Sequence, residues 1–248
     1  MCTLALAFRV DRRWPLVVAA NRDERLGRPA EGWAVRAPER GPRHAAPRDL
    51  LAGGTWIGVS ARGVFAAITN YHAPGGFPDL SRRSRGELVP LALSAPDAAA
   101  AREALGAVDA ALYNPFHLAV ADAERAFLWR FDGERAALDD LRPGLHVVTE
   151  SSPDGRCPRG DLVRARWPLQ ADAAHLREVL SVHAEGREAT CIHRDPRYGT
   201  RSSAILRLAL ALEASELFAA DGPPCTAPLE DRSALLQALA RGRPQSQA

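Results

Sequence analysis

Met1-Cys2-Thr3-Leu4-Ala5-Leu6-Ala7-Phe8, followed after a polar stretch by Pro15-Leu16-Val17-Val18-Ala19-Ala20-Asn21-Arg22-Asp23-Glu24, is the part of the chain on which the fold turns. Two short apolar runs, residues 2–8 and 15–20, flank Asp11-Arg12-Arg13, the pattern of a β-hairpin that opens the chain. A turn centred near Arg12, with paired positions summing to about 23, sets Cys2 opposite Asn21 and Asp23 just past the strand end. Opposed residues on a hairpin have Cβ atoms ~5 Å apart. The cluster Asn21-Arg22-Asp23-Glu24 is therefore expected around the start of the chain.

That placement gives Cys2 a chemical reading. Methionine aminopeptidases remove Met1 when the second residue is small, which leaves Cys2 with a free α-amine. The amine has a pKa near ~8 and a free thiol one near ~8.5. One residue then carries both a nucleophile and a general base suited to working pH. Asp23 can hold the ammonium or orient the amine, Arg22 can favour the thiolate, and Asn21 supports the cluster. From these residues alone, a small buried cysteine beginning a strand beside a solvated charged turn is an equally open reading.

Outward from the hairpin, residues 31–48 are rich in Pro, Arg and Gly and read as loop. Residues 55–60 and 64–69 form a second hairpin turning at Ala61-Arg62-Gly63, where glycine suits a left-handed position. It ends at Asn70-Tyr71-His72. Asn70 is a candidate oxyanion donor, the alternative being an amide bonded to its own turn. Trp56, Tyr71 and His72 are expected to line a pocket, although Trp56 fits a core position as well. Ser84 and Glu87 form a capping-box pattern opening a helix to about residue 93. Pro96-Asp97 starts an alanine-rich helix to about residue 106. Strands are expected at 116–121, 126–131 and 144–149, and helices at 161–166 and 173–184. Residues 198–212 are ambiguous between helix and strand. Arg201, in the polar cluster that opens this segment, can neutralise developing charge, though a lone arginine is commonly a surface residue. The order of elements fits a layered α+β domain with helices outside a pair of sheets. One domain over 1–242 is expected, with a polar, disordered tail at 243–248.

The bulk composition narrows the function. The 248 residues are 46% apolar and 25% charged, with 32 basic and 30 acidic side chains and a net charge of +2. No large field is available to draw nucleic acid. Every basic residue apart from histidine is arginine, which removes lysine as a Schiff base. No run approaches the ~18–20 apolar residues that cross a bilayer. The apolar start ends at Arg9, too early for a secretory signal, so a cytoplasmic location is expected. Cys2, Cys157, Cys191 and Cys225 form no CxxC pair. Cys191 and His193 make a Cys-x-His pair, but two ligands do not make a site, and no metal centre is expected.

Six motifs taken together identify a family. Met1-Cys2-Thr3, Asn21-Arg22-Asp23-Glu24, Gly54-Thr55-Trp56-Ile57-Gly58, Thr69-Asn70-Tyr71, Ser84-Arg85-Gly86-Glu87-Leu88 and Tyr198-Gly199-Thr200-Arg201-Ser202-Ser203 resemble the NRDE family, also called the transport and Golgi organisation family. The resemblance runs from residue 1 to about residue 210. That family in turn looks like a distant relative of the cysteine N-terminal-nucleophile amidases, such as bile salt hydrolases and penicillin V acylases. The resemblance implies a four-layer αββα sandwich. It implies Cys2 as nucleophile, Asp23 as the amine-orienting carboxylate, Asn70 as oxyanion donor and Arg201 as the late arginine. The chain departs from the amidases in two places. Ala20 stands where their early arginine is expected, with Arg22 two residues on. Their mid-chain asparagine falls near Thr149-Glu150-Ser151-Ser152, which contains none.

The expected function is hydrolysis of a small-molecule amide or thioester, with no cofactor needed for the chemistry. The alternative on the same fold is a non-catalytic protein that handles haem or a lipid or acyl-CoA. Cys2, His72, Cys191 and His193 are its conceivable iron ligands, and Cys157-Pro158 is a weak haem-type dipeptide.

Overall fold

In a computed structural model, residues 2–38, 41–72, 78–184 and 188–242 are described; the expected tail at 243–248 lies outside them. The first sheet has seven strands. Its main path runs β10 (Gly144–Thr149), β1 (Cys2–Phe8), β2 (Leu16–Arg25), β12 (Tyr198–Leu208), β13 (Glu216–Ala220) and β14 (Glu230–Asp231), with β11 (His193–Asp195) paired to β12. The second sheet, also of seven strands, follows the chain without a crossover. It runs β3 (Ala30–Arg36), β4 (His44–Asp49), β5 (Ile57–Ser60), β6 (Phe65–Asn70), β7 (Phe116–Ala121), β8 (Ala126–Phe131) and β9 (Ala136–Asp140).

The sheets pack face to face because their strands bury both sides. Leu4, Leu6, Phe8, Leu16 and Val18 on the first sheet meet Val59, Phe65, Ala67, Ala119 and Leu128 on the second. The alternate residues face outward. Ala5, Ala7, Val17 and Ala19 support α3 (Pro158–Arg166) and α4 (Ala173–Leu180). Val64, Ala66, Leu118 and Val120 support α1 (Leu88–Ser94) and α2 (Ala98–Gly106). Four layers, αββα, result. α5 (Ser233–Arg241) inserts Leu236 and Leu239 into the core between the sheets. No described helix is long and apolar enough to cross a membrane.

Two sequence expectations are corrected and one left open is decided. Residues 31–48 are not a loop but contain β3 and β4. Pro47, which argues against a strand, lies opposite a bulge where the register shifts between Glu31 and Ala34, and there its missing N–H is tolerated. Residues 198–208 are strand: β12 pairs along its length with β2, and tertiary pairing overrides the helix preference of Ala and Leu. At the capping box, Ser84 Oγ accepts from the Gly86 N–H at 3.3 Å, but Glu87 is taken by Arg83 and by the Tyr113 hydroxyl.

Candidate active site

The register of the first hairpin decides which groups share a face with Cys2. Cys2 pairs with Arg22 and Thr3 with Asn21, one residue away from the Cys2–Asn21 pairing expected from sequence. The connection, residues 9–15, sets this register. Arg9 takes a φ of 51° and donates to the Pro15 carbonyl, and the Asp11 carboxylate accepts from the N–H groups of Arg13 and Trp14. A shift of one residue exchanges the faces. Arg22 therefore joins Cys2 on the side facing the second sheet. Asn21 faces the helices, where Nδ2 donates to the carbonyls of Leu180 (2.8 Å) and Thr190 (2.7 Å) and Oδ1 accepts from Ser203 (2.7 Å). Its amide braces the strand against α4 and does not reach across to Cys2.

A cavity of about 440 Å³ opens beside Cys2, lined among others by Arg22, Asp23, Trp56, Asn70 and Arg85. The Arg22 guanidinium lies 4.0 Å from the Trp56 ring centre, a cation–π stack, and sits 3.8 Å from Glu24 and 3.9 Å from Asp49. Only 7% of Arg22 is exposed, and its Nη1 has no hydrogen-bond partner among the described residues. Arg85 approaches from the other side. It is carried by the turn at Ser84–Glu87, which is fixed by the Thr55 N–H to Gly86 carbonyl bond (3.0 Å). Gly54 permits that closeness, because a Cβ there would lie 2.4 Å from the Gly86 carbonyl carbon. Arg85 donates to the Pro115 carbonyl, and burial brings its pKa down to about 10 against the opposing attraction of Cys2 and Glu24. Asn70 ends β6, exposed at the cavity wall.

Asp23 sits behind this wall, 4% exposed. Burial pushes its carboxyl up to about 7, although the hydrogen bond from the Thr200 hydroxyl (2.6 Å) and the charge of Arg159 pull it down. Its backbone carbonyl accepts from the Tyr198 hydroxyl at 3.1 Å and is 3.9 Å from Cys2 Sγ. Glu150 and Arg159 form a buried ion pair at 2.9 Å, and the Glu150 carbonyl accepts the His72 N–H. Burial pushes the Cys2 thiol up, and the Asp23 and Glu150 carboxylates act in the same direction. The thiol is therefore neutral at rest, and turning it into a nucleophile needs a base at hand.

The site thus gathers Cys2, Arg22, Asp23, Trp56 and Asn70. The other candidates stand elsewhere. The Tyr71 ring is 4.9 Å from that of His117, and neither Tyr71 nor His72 lines the cavity. Arg201 occupies the bulge of β12, pairs with Asp221 and lines a separate cavity of about 330 Å³ that also touches Arg22 and Trp56. Cys191 and His193 cluster with His183 and Cys225, not with Cys2 or His72. Arg85, Glu150, Arg159, Tyr198 and Thr200 were not singled out from sequence. Arg85, Tyr198 and Thr200 lie inside motifs that did carry a signal. Glu150 and Arg159 meet only through tertiary packing.

Two stacked sheets between helical layers, with a cysteine heading a central strand, define the N-terminal-nucleophile hydrolase fold. Solved structures of that class superpose on this one. A Caenorhabditis elegans N-acylethanolamine-hydrolyzing acid amidase ortholog matches with a TM-score of 0.61 at 13% identity, over 83% of this chain and 92% of that one. A mutant conjugated bile acid hydrolase from Clostridium perfringens matches at 0.54 and 10% identity, over 96% and 94%. Penicillin V acylase from Agrobacterium tumefaciens matches at 0.52 and 14%, over 95% and 88%. The chain belongs to the Transport and Golgi organisation 2 family, whose sequence profile matches residues 1–168. The Bos taurus Transport and Golgi organization protein 2 homolog is 31% identical over 230 residues, 77% of this chain and 81% of its own. The Homo sapiens homolog is 36% identical over 123 residues, 45% and 40% of the two chains.

Proposed function

We propose that the protein is an N-terminal-cysteine hydrolase that cleaves an amide or thioester of a small acyl compound once Met1 has been removed. The observation that carries this reading is the pairing of Cys2 with Arg22 at the mouth of a cavity that also holds Asn70 and Arg85. The free α-amine of Cys2 takes the thiol proton, and Asp23 steadies the resulting ammonium. The thiolate attacks the acyl carbon. Asn70 Nδ2, with backbone N–H groups, takes the oxyanion, an interaction worth ~3–4 kcal/mol in acyl transfer. Collapse expels the amine or thiol, which leaves with the proton returned by the ammonium, and an acyl thioester stays on Cys2. Water, deprotonated by the same amine, hydrolyses it to a carboxylic acid and regenerates the thiol. Arg22 and Arg85 lower the energy of the thiolate in a site whose burial opposes it.

The neighbours named as an N-acylethanolamine-hydrolyzing amidase and a conjugated bile acid hydrolase make lipid-like acyl amides the first substrates to try. The test is intact-mass measurement of the full chain before and after a limiting thiol alkylator, then after incubation with acyl amides and thioesters. Loss of Met1, one fast adduct on Cys2 and a transient acyl adduct on the same residue are expected. Retained Met1, or slow labelling spread over all four cysteines, overturns the reading. Titrations with haem and with acyl-CoA would then be the next step.

A further inference from the structure

Away from the Cys2 cavity, four side chains with metal-binding atoms converge from three segments. His183 follows α4, Cys191 and His193 flank the start of β11, and Cys225 lies in the connection between β13 and β14. Cys191 Sγ is 3.6 Å from Cys225 Sγ and 3.6 Å from His193 Nε2, and His193 Nε2 is 3.3 Å from Cys225 Sγ. The rings of His183 and His193 are 5.1 Å apart between centres. One ligand atom from each of the four residues fits inside a set no wider than 4.8 Å.

These lengths have a simple interpretation. A tetrahedral zinc ion holds sulfur at ~2.3 Å and imidazole nitrogen at ~2.0–2.1 Å. The edges of such a tetrahedron are about 1.6 times the bond length, so roughly 3.8 Å between two sulfurs and about 3.5 Å between sulfur and nitrogen. The three measured separations fall within a few tenths of an ångström of those edges. A disulfide is a different geometry: it needs the sulfurs at ~2.05 Å, and it would leave both imidazoles without a role. Two thiolates and two imidazoles are a soft donor set that suits zinc and not magnesium or calcium. Cys191 is buried, while His183 and His193 are exposed, so an ion has a route in from solvent.

We propose that His183, Cys191, His193 and Cys225 form a tetrahedral Cys2His2 site for zinc, separate from the Cys2 cavity. The site is closed by four protein ligands, so its role is structural. It ties the segment after α4 and the connection before β14 to the β11–β12 pair. Between the two ligands Cys191 and His193 stands Ile192, whose N–H donates to Thr200 Oγ1 at 2.9 Å, and that hydroxyl donates to Asp23. The ion would therefore fix the outer end of a hydrogen-bonded path that ends behind Cys2.

The test is zinc binding by the full chain, reduced, stripped with a chelator and titrated with Zn(II) against a chromophoric competitor. Uptake of one zinc per chain is expected, together with a cobalt derivative that shows thiolate-to-metal charge transfer and tetrahedral ligand-field bands. The exposed His183 can be replaced without disturbing the core, so His183→Ala should fold and bind at least about tenfold more weakly, by analogy with the loss of metal-site partners. Cys191→Ser with Cys225→Ser should abolish uptake, and Cys2→Ala should leave it unchanged. Failure of the reduced chain to compete for zinc overturns the proposal. So does zinc binding that survives the double serine variant or that is lost in Cys2→Ala.

Discussion

Cys2 stands alone at the head of a central strand, beside a cavity and within reach of guanidinium and carboxylate groups, whereas Cys191 and Cys225 stand 3.6 Å apart with two imidazoles around them. Both places belong to the same sheet. The difference lies in space and in the charge that can answer a thiolate. Beside Cys2 there is room for a substrate, and Arg22 and Arg85 supply positive charge without binding sulfur. Around Cys191 the four donor atoms lie within 4.8 Å of one another, which suits an ion and nothing larger. Under the two proposals, the same side chain serves attack in one setting and ligation in the other.

The most severe way to break this contrast is Cys2→Ala. If Cys2 is the nucleophile, kcat/KM against any acyl amide or thioester turned over by the chain should fall by at least ~10⁴, the scale on which nucleophile removal acts. Zinc content should not move. Equal activity in the variant would place the chemistry elsewhere. Asn70→Ala comes next. Loss of one oxyanion donor lowers kcat by roughly 10²–10³ with KM little changed, and steady-state kinetics separates the two. A rise in KM alone would make Asn70 a binding residue.

How far the sequence carries this contrast depends on the range of the interactions involved. The opening hairpin, the turn at Gly63 and the strands at 116–121 and 126–131 are legible because apolar runs and turn residues are local signals. The one-residue error in the first register came from the backbone of the connection, where the positive φ of Arg9 has no mark in the residue type. β3 and β4 were hidden by Pro47 and by arginines whose role, as in Arg36 donating to the Ala46 carbonyl, is visible only across the strand pair. The same limit applies to the sites. Cys2 and Asp23 could be named because motif and hairpin coincide, but Glu150 meets Arg159 and Cys191 meets Cys225 only when the sheet is assembled.

The imidazoles extend the contrast to pH. His117 is 3% exposed, and its Nδ1 is 3.1 Å from the Thr149 carbonyl of the opposite sheet, whereas His183 and His193 face solvent. Burial brings the His117 pKa down to about 4, against the hydrogen bond to Thr149, from an unfolded value near ~6.5. A depressed base contributes stability that is complete above the unfolded pKa and is lost as pH falls through the window from about 6.5 to about 4. Between pH 7.5 and pH 5 the loss is roughly 2 kcal/mol from this group. Urea unfolding at the two pH values measures it, on chelated protein so that metal release adds nothing. The Asp23 carboxyl, held up to about 7, acts in the opposite direction over the same window, so the test is the change on substitution: His117→Gln should make the pH 5 stability, relative to pH 7.5, roughly 2 kcal/mol more favourable than in the parent chain. An unchanged slope would mean that other buried groups carry the acid limb.

Arg85→Gln should have a smaller effect, and a more specific one. Arg85 pairs with no carboxylate among the described residues; it donates to the Pro115 carbonyl and faces the Cys2 cavity. Its charge favours the Cys2 thiolate, which burial opposes. Removing that charge raises the energy of the anion and leaves the neutral thiol almost untouched, so the thiol titrates at higher pH. A loss of about one pKa unit of stabilisation is worth ~1.4 kcal/mol, or tenfold in reactivity at a fixed pH below the pKa. Alkylation of Cys2 should therefore slow by about tenfold at neutral pH and recover as pH rises toward the new titration. Labelling of Cys191 and Cys225, with zinc removed, should keep its rate at every pH. If the neutral-pH rate of Cys2 is unchanged, Arg22 alone supplies the positive charge, and Arg85 serves to hold the turn at Ser84–Glu87 against the Pro115 carbonyl. If all three cysteines slow together, the substitution has loosened the fold and the contrast between the two thiol sites is not what the alkylator reads.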